Sequence, residues 1–280
     1  MNALDYFGKD AAPLRRKRLF LFDLDGTLYN GGRVFPGTLP LLSHIRETGG
    51  RAVYVTNNSS RSVRDCAGHL RALGIPAAEA DFCTAAQTAA RLLAAQYPGE
   101  LVFCVGTGSL VAELRRSGIP VTTQYDPGAG VVLIGYDTEL RYQKLIDASR
   151  LLLEKNAVYL ATNPDWVCPA PFGAVPDCGS ICKMLEYAVH RWPRFLGKPE
   201  PDMILTACGT AGVPPAEAVV LGDRLYTDIA AGVRAGVDTV CVLSGESTEQ
   251  MVRESAVQPD YTFLSVLELL RCLEKEEEMV

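Results

Sequence analysis

Residues 20–32, FLFDLDGTLYNGG, place Asp23 and Asp25 two positions apart at the end of an apolar run. The four apolar residues 19–22 predict a fully buried strand, because a short continuous apolar run bounded by turn signals fits a strand covered on both faces. Asp25-Gly26 fits a turn, and the glycine cluster at 31–32 predicts a hairpin directly after it. A fold does not bury two charges without reason. In an open α/β sheet, however, ligands bind outside the carboxyl ends of the strands, where these aspartates fall.

The same arrangement recurs along the chain. Apolar runs at 52–55, 101–105, 131–134, 158–161, 218–221 and 239–243 alternate with helical patterns, among them 62–73, 141–155, 180–190 and 226–235. That alternation is the pattern of parallel sheets with crossover helices. The run 52–55 ends in TNNSSRS (56–62), RFLGKPEPD (194–202) carries a lysine directly after a glycine, and the run 218–221 ends in GDRLYTD (222–228). Asp, Thr-Asn, Lys and Asp are thus delivered to one sheet edge. The roughly 120 residues between the second and third of these are too many for a loop inside a compact domain. The expected architecture is therefore an α/β protein: a doubly wound, Rossmann-like parallel-sheet core over residues 1–80 and 177–280, with an inserted α/β cap domain over 81–176.

Composition bounds the function. The chain has 280 residues, 48% hydrophobic and 21% charged, with a formal net charge of -6. The mild acidity argues against a nucleic-acid partner, which calls for a basic patch. RRKR at 15–18 solvates the start of the first strand, and the acidic run 274–278 reads as a frayed, solvated helix end. No stretch approaches the roughly 20 apolar residues that span a bilayer, and residues 1–18 lack the apolar core of a signal peptide. No membrane association and a cytoplasmic location are expected. The nine cysteines include no CxxC pair, so buried thiols are expected in place of disulfides or zinc.

Side chains at i and i+2 of an extended chain point the same way, so Asp23 and Asp25 project together, and Asp223 and Asp228 arrive from a neighbouring strand end. Two like charges 4 Å apart repel by about 4 kcal/mol at an effective dielectric near 20, and a cation must offset them. Lys198 supplies one charge; a carboxylate set is also what magnesium prefers. Taken singly, these residues could be helix caps and turn formers. Their shared place at strand ends points instead to a carboxylate that attacks phosphorus, which splits a hard step into two. Such chemistry needs a nucleophile beside a metal, donors for the phosphoryl oxygens and an acid for the departing alcohol. Asp23, the metal, Thr56-Asn57-Lys198 and Asp25 fill these places.

DLDGT, TNN, GKPEP and GDRLYTDI, in that order and at strand ends, resemble the four motifs of the haloacid dehalogenase superfamily. The hairpin LYNGG, the wide gap between the second and third motifs, and ATNPD at 161–165 resemble its NagD-like, class IIA cap branch, which includes para-nitrophenyl phosphatases. The resemblance implies a magnesium-dependent phosphatase of small phosphomonoesters such as a sugar phosphate or nucleotide. Asp23 would be nucleophile and metal ligand. Asp25 would be general acid and base and would reach the metal through its backbone carbonyl. Thr56, Asn57, Asn58 and Lys198 would hold the phosphoryl group. Asp223 would complete the metal site and Asp228 would support it. Asn163 and Asp165, in the cap, would face the substrate, and the cap could mediate a homodimer. His44, His69 and His190 lie in helical patterns and the mechanism does not require them. A phosphotransferase or mutase using the same aspartyl-phosphate is the alternative enzyme. A phosphoaspartate receiver domain is disfavoured by the long insert.

Overall fold

The computed structural model describes residues 3–170 and 172–274; of the acidic run 274–278 all but Glu274 lies outside them. The chain divides into two compact units. One comprises Met1–Thr56, His69–Cys83 and Lys198–Val280, the other Asn57–Gly68 and Thr84–Gly197.

The sheet of the first unit runs, across its width, Tyr261–Phe263, Asp238–Val242, Ala218–Gly222, Leu19–Phe22, Arg51–Thr56, Phe82–Thr84. In chain order this is 6-5-4-1-2-3, a doubly wound sheet whose order reverses between Leu19–Phe22 and Ala218–Gly222. These two strands pair in parallel with Phe22 opposite Leu221, and on the other side Phe22 faces Tyr54. All four residues of Leu19–Phe22 are buried, as the unbroken apolar run requires for a strand covered on both faces. Just beyond it, Tyr29–Asn30 and Arg33–Val34 form the expected antiparallel hairpin, with Tyr29 opposite Val34.

The second unit has its own parallel sheet, ordered Arg194–Phe195, Val158–Ala161, Ala129–Ile134, Leu101–Val105, Val121–Thr122. Its helices start where the sequence supplies caps. Thr84 and Gln87 bond each other's backbone N–H in a capping box that opens Ala85–Gln96, and the Thr107 hydroxyl accepts from Leu110 N–H at the start of Gly108–Arg116.

The second unit's limits differ from the expected 81–176. Helix Cys178–Val189 buries Ile181, Cys182, Leu185 and Val189 in one cluster with Val132, Ile134 and Tyr159, and Arg194–Phe195 pairs with Leu160–Ala161. Both belong with the second sheet, so the boundary falls after Gly197. At the other end, Phe82–Thr84 completes the first sheet. Residues 57–68 join the second unit, where Ser59 Oγ lies 2.8 Å from Thr162 Oγ1 and accepts from Tyr136 N–H at 2.9 Å. Among the described residues no helix is long and apolar enough to cross a membrane. The cysteines are buried except Cys168, which is half-buried.

Candidate active site

The first unit gathers its charged residues where its strand order reverses. Asp23 follows the Leu19–Phe22 strand, and its N–H still bonds Leu221 O across the sheet at 2.8 Å. Asp223 follows the neighbouring strand. Asp228 comes from Leu225–Ile229, the widened first turn of a helix in which Ile229 N–H reaches back to Arg224 O. The sequence predicts an ordinary helix over 226–235; a π-type turn is a recurrent device at functional sites. It leaves the Asp228 carboxylate buried, with Oδ2 accepting from Arg224 N–H at 3.1 Å.

Lys198 ties these pieces together. Its Nζ lies 2.6 Å from Asp23 Oδ1, 2.6 Å from Asp228 Oδ1 and 3.1 Å from Val55 O, on the strand that ends in Thr56. An ammonium has three donors, and two strand ends and one helical turn receive them. The lysine is 3% exposed, and a charge so buried needs such partners. Burial works against its charge, yet Asp228 and Asp23 carry its pKa above the ordinary lysine value.

One ammonium does not balance three carboxylates. Oxygens of Asp23, Asp223 and Asp228 lie within 4.8 Å of one another. Burial, then the charge of Asp228, holds Asp23 well above the usual carboxylate range, despite Lys198. Burial and Asp228 push Asp223 up to about 6, with Glu246 N–H pulling the other way. Asp223 Oδ1 is buried with no hydrogen-bond partner among the described residues. Hard oxygen donors, excess negative charge and an orphaned buried oxygen fit a small divalent cation of the magnesium type.

The sequence reading missed how Asp223 is held. Its Oδ2 accepts from Glu246 N–H at 2.7 Å and its backbone carbonyl from Ser247 N–H at 3.0 Å. Two glycines flank the carboxylate: a Cβ on Gly26 would lie 2.3 Å from Asp223 Oδ2, and one on Gly245 2.0 Å from it. Only hydrogen fits there, and Gly26, at φ +82°, needs glycine for its backbone as well. The Ser244 hydroxyl donates to Gly26 O at 2.8 Å and fastens the two loops together. Glycine in the first motif was a signal for this packing; the 244–247 segment, acting through backbone N–H groups, left none.

The remaining expected residues are placed as follows. Asp25 is exposed in the loop after the strand, and its Oδ2 accepts from the Tyr29 hydroxyl at 3.2 Å. Thr56 is buried at its strand's end. Asn57 and Asn58 fall in the 57–68 segment of the second unit. Asn58 Oδ1 accepts from the N–H and hydroxyl of Ser60, at 3.0 and 2.8 Å, which fixes its own turn. Asn57 Nδ2 donates to Asp165 Oδ2 at 2.9 Å, and so does Asn163 Nδ2, which also reaches Asp177 Oδ1 at 3.1 Å. Asn163 has no exposed surface, and Asp165 and Asn57 are buried. Asn163 and Asp165 thus lie in an internal polar network, whereas the sequence places them facing substrate.

A doubly wound sheet with a lysine-bridged carboxylate cluster at its reversal point, and a second α/β unit inserted into it, defines a hydrolase of the haloacid dehalogenase kind. Family models described as haloacid dehalogenase-like hydrolase and HAD-hydrolase-like match residues 20–120 and 195–269. An acid sugar phosphatase of Staphylococcus aureus is 32% identical over 262 residues, covering 94% of this chain and all of that protein. The crystal structure of a 4-nitrophenylphosphatase from Thermotoga maritima superposes with a TM-score of 0.88 at 32% identity, covering 94% of this chain and 99% of that one. A glycerol phosphate phosphatase from Mycobacterium tuberculosis, solved in complex with magnesium, gives a TM-score of 0.87 at 32% identity over 95% of this chain and 78% of its own. The chain belongs to the haloacid dehalogenase-like hydrolase family, in its NagD-like, class IIA branch.

Proposed function

We propose that this chain hydrolyses small sugar or polyol phosphomonoesters through an aspartyl-phosphate on Asp23, with magnesium bound by Asp23 and Asp223. It is a phosphoric monoester hydrolase of its family; the route and the substrate class are the proposal. The observation that carries it is the cluster Asp23–Lys198–Asp228 beside Asp223, whose negative charge exceeds what Lys198 offsets. Named relatives that act on sugar phosphates and glycerol phosphate support the substrate class.

In this reading a carboxylate oxygen of Asp23 forms a bond to phosphorus as the bond to the alcohol oxygen breaks. Asp25 gives that oxygen a proton and then takes one from the water that releases phosphate. Thr56, Asn57 and Lys198 hold the phosphoryl oxygens, with Asn58 shaping the turn beside them. Asp23, Asp223 and the backbone carbonyl of Asp25, with Asp228 in support, would hold magnesium, which would supply charge neutralisation for the transferring group. For Asn163 and Asp165 the buried network supports orienting Asn57 in place of touching substrate.

The reading includes a cytoplasmic location. It also includes self-association through the second unit, where Tyr142, Ile146, Leu153, Met184 and Tyr187 are exposed on two neighbouring helices; light scattering tests this. Phosphate release from a panel of sugar, polyol and nucleoside monophosphates, with and without chelator, tests the activity. Asp23→Asn should abolish turnover and leave the fold intact. Retained steady-state hydrolysis by clean Asp23→Asn protein would overturn the covalent route.

A further inference from the structure

The sheet of the second unit is doubly wound in its own right. Numbered in chain order its strands lie 5-4-3-1-2, all parallel, and the order reverses between Leu101–Val105 and Ala129–Ile134. Ligands of such sheets bind in the crevice outside the carboxyl ends of the strands at that reversal. A crevice of about 1220 Å³ opens beside Gly106, which directly follows Val105. It is lined wholly by residues of the second unit, among them Gly106, Gly108, Arg115, Glu139, Arg141 and Lys144. Small-molecule sites occupy about 300–1,000 Å³, so the space suffices. Its floor is fixed: Lys144 Nζ donates to Gly106 O at 2.9 Å and to Asp137 Oδ2 at 2.6 Å, joining the loops that leave the two strands.

We infer that this crevice binds a small phosphate-bearing molecule through Arg115, Arg141 and the Gly106–Gly108 turn. The acids around it are already engaged: Asp137 by Lys144, Asp147 by Gln143 at 2.9 Å, and Glu113 by Arg116 at 2.6 Å. Among the described residues Arg115 and Arg141 pair with no carboxylate, and Arg115 spends one N–H on Val121 O at 3.1 Å. Two guanidinium forks lining one crevice match phosphate oxygens, which they take in pairs. The strand passes into its helix through Gly106-Thr107-Gly108, a glycine turn of the kind that lets backbone N–H groups approach a phosphate. Glu139 Oε2 accepts from Gly108 N–H at 3.0 Å, and it is the one atom of another segment within 4 Å of where a Cβ on Gly108 would lie. A carboxylate thus stands where the phosphate would, and the ligand displaces it. The third place of a G-x-G-x-x-G fingerprint is Val111, so the ligand class is a mono- or diphosphate and not a dinucleotide. No member of the carboxylate cluster of the first unit lines the crevice, so this site is independent of the chemistry proposed on Asp23.

Pyrophosphate and ADP are the probes, each titrated by calorimetry into the full chain in EDTA at one low ionic strength. We expect the double variant Arg115→Ser, Arg141→Ser to weaken their binding about ten-fold or more, as charge-assisted hydrogen bonds are lost. Its turnover of 4-nitrophenyl phosphate with magnesium should stay within about two-fold of the parent, and its circular dichroism spectrum should match. Glu139→Ala should act in the opposite direction and tighten binding about three-fold or more, because it frees Gly108 N–H and removes a like charge. Equal affinity for the two probes assigns the site to phosphate groups as such, and tighter binding of ADP assigns it to a nucleotide. The inference is overturned if the parent binds neither probe at millimolar concentration, or if the arginine variant keeps the parent affinity. Binding that Glu139→Ala leaves unchanged or weakens would overturn it as well, since the ligand would then not occupy the glycine turn.

Discussion

The ammonium of Lys198 and the carboxylate of Asp228 meet at 2.6 Å with side chains only 3% and 2% exposed. Removing Lys198 leaves the buried Asp228 carboxylate without its counter-charge, at a cost of about 3–5 kcal/mol. Lys198→Met should therefore lower stability by about that amount without metal, and added magnesium should recover part of it by taking over the lysine's charge. The same variant should depress kcat/KM for every phosphoester by one common factor. Denaturant melts with and without magnesium, alongside a substrate panel, check both halves.

The pH dependence follows from the raised carboxylates. Asp23 and Asp223 bind protons more tightly folded than unfolded, the latter up to about 6. Their contribution to metal-free stability is fully present below the ordinary aspartate pKa and is lost as pH rises, that of Asp223 through about 6 and that of Asp23 through its own raised pKa. Magnesium binds the ionised form and should reverse the loss. We predict a magnesium-induced rise in Tm of several degrees at pH 7.5 that shrinks toward pH 5, measured by calorimetry. An equal rise at both values would remove these carboxylates from the metal site.

Gly245→Ala should strike the proposed metal site while sparing the rest of the sheet. The added methyl would come 2.0 Å from Asp223 Oδ2, and the carboxylate or the 244–247 loop must shift. Magnesium affinity should fall about ten-fold or more, in line with the effect of disturbing groups that orient metal ligands. Titration calorimetry reads the affinity directly.

Asp165 accepts amide protons from both Asn57 and Asn163 inside the second unit. Asp165→Ala removes the acceptor that Asn57 and Asn163 share, and a lost buried hydrogen bond costs about 1–3 kcal/mol. Activity should fall for all substrates alike, because an orienting network touches none of them. Changes that differ between sugar and polyol phosphates would restore Asp165 to a substrate-facing role.

Much of this was legible because buried strands and reactive groups each leave a local mark. Leu19–Phe22, Leu101–Val105 and Val158–Ala161 stand at the bounds their apolar runs predict, since a strand covered on both faces admits little else. Asp23 and Asp223 stood out because a charge directly after such a strand is too costly to be idle. Tertiary choices were not legible. The apolar face of Cys178–Val189 says that the helix is buried, not which sheet buries it, and the expected boundary at 176 fell short of Gly197 for that reason. The anchorage of Asp223 by Glu246 N–H is a backbone interaction that any side chain at 246 could accompany. Asn163 and Asp165 look the same in sequence whether they face a ligand or each other's neighbours.

The chain passes between its two units four times, after residues 56, 68, 83 and 197. The second unit is therefore not a bead on a string that one cut at each end would release. Excising residues 84–197 alone would strand 57–68, leaving Ser59 without Thr162 and Tyr136, and Asn57 without Asp165. A chimaera that exchanges this unit for a relative's must carry the short segment with the long one. The two outermost junctions sit at Thr56 and Lys198, so transplantation seams would lie beside the positions proposed to hold the phosphoryl group. Variation by recombination is constrained there, and diversification of this enzyme is expected to proceed by point changes within the second unit more readily than by its wholesale replacement.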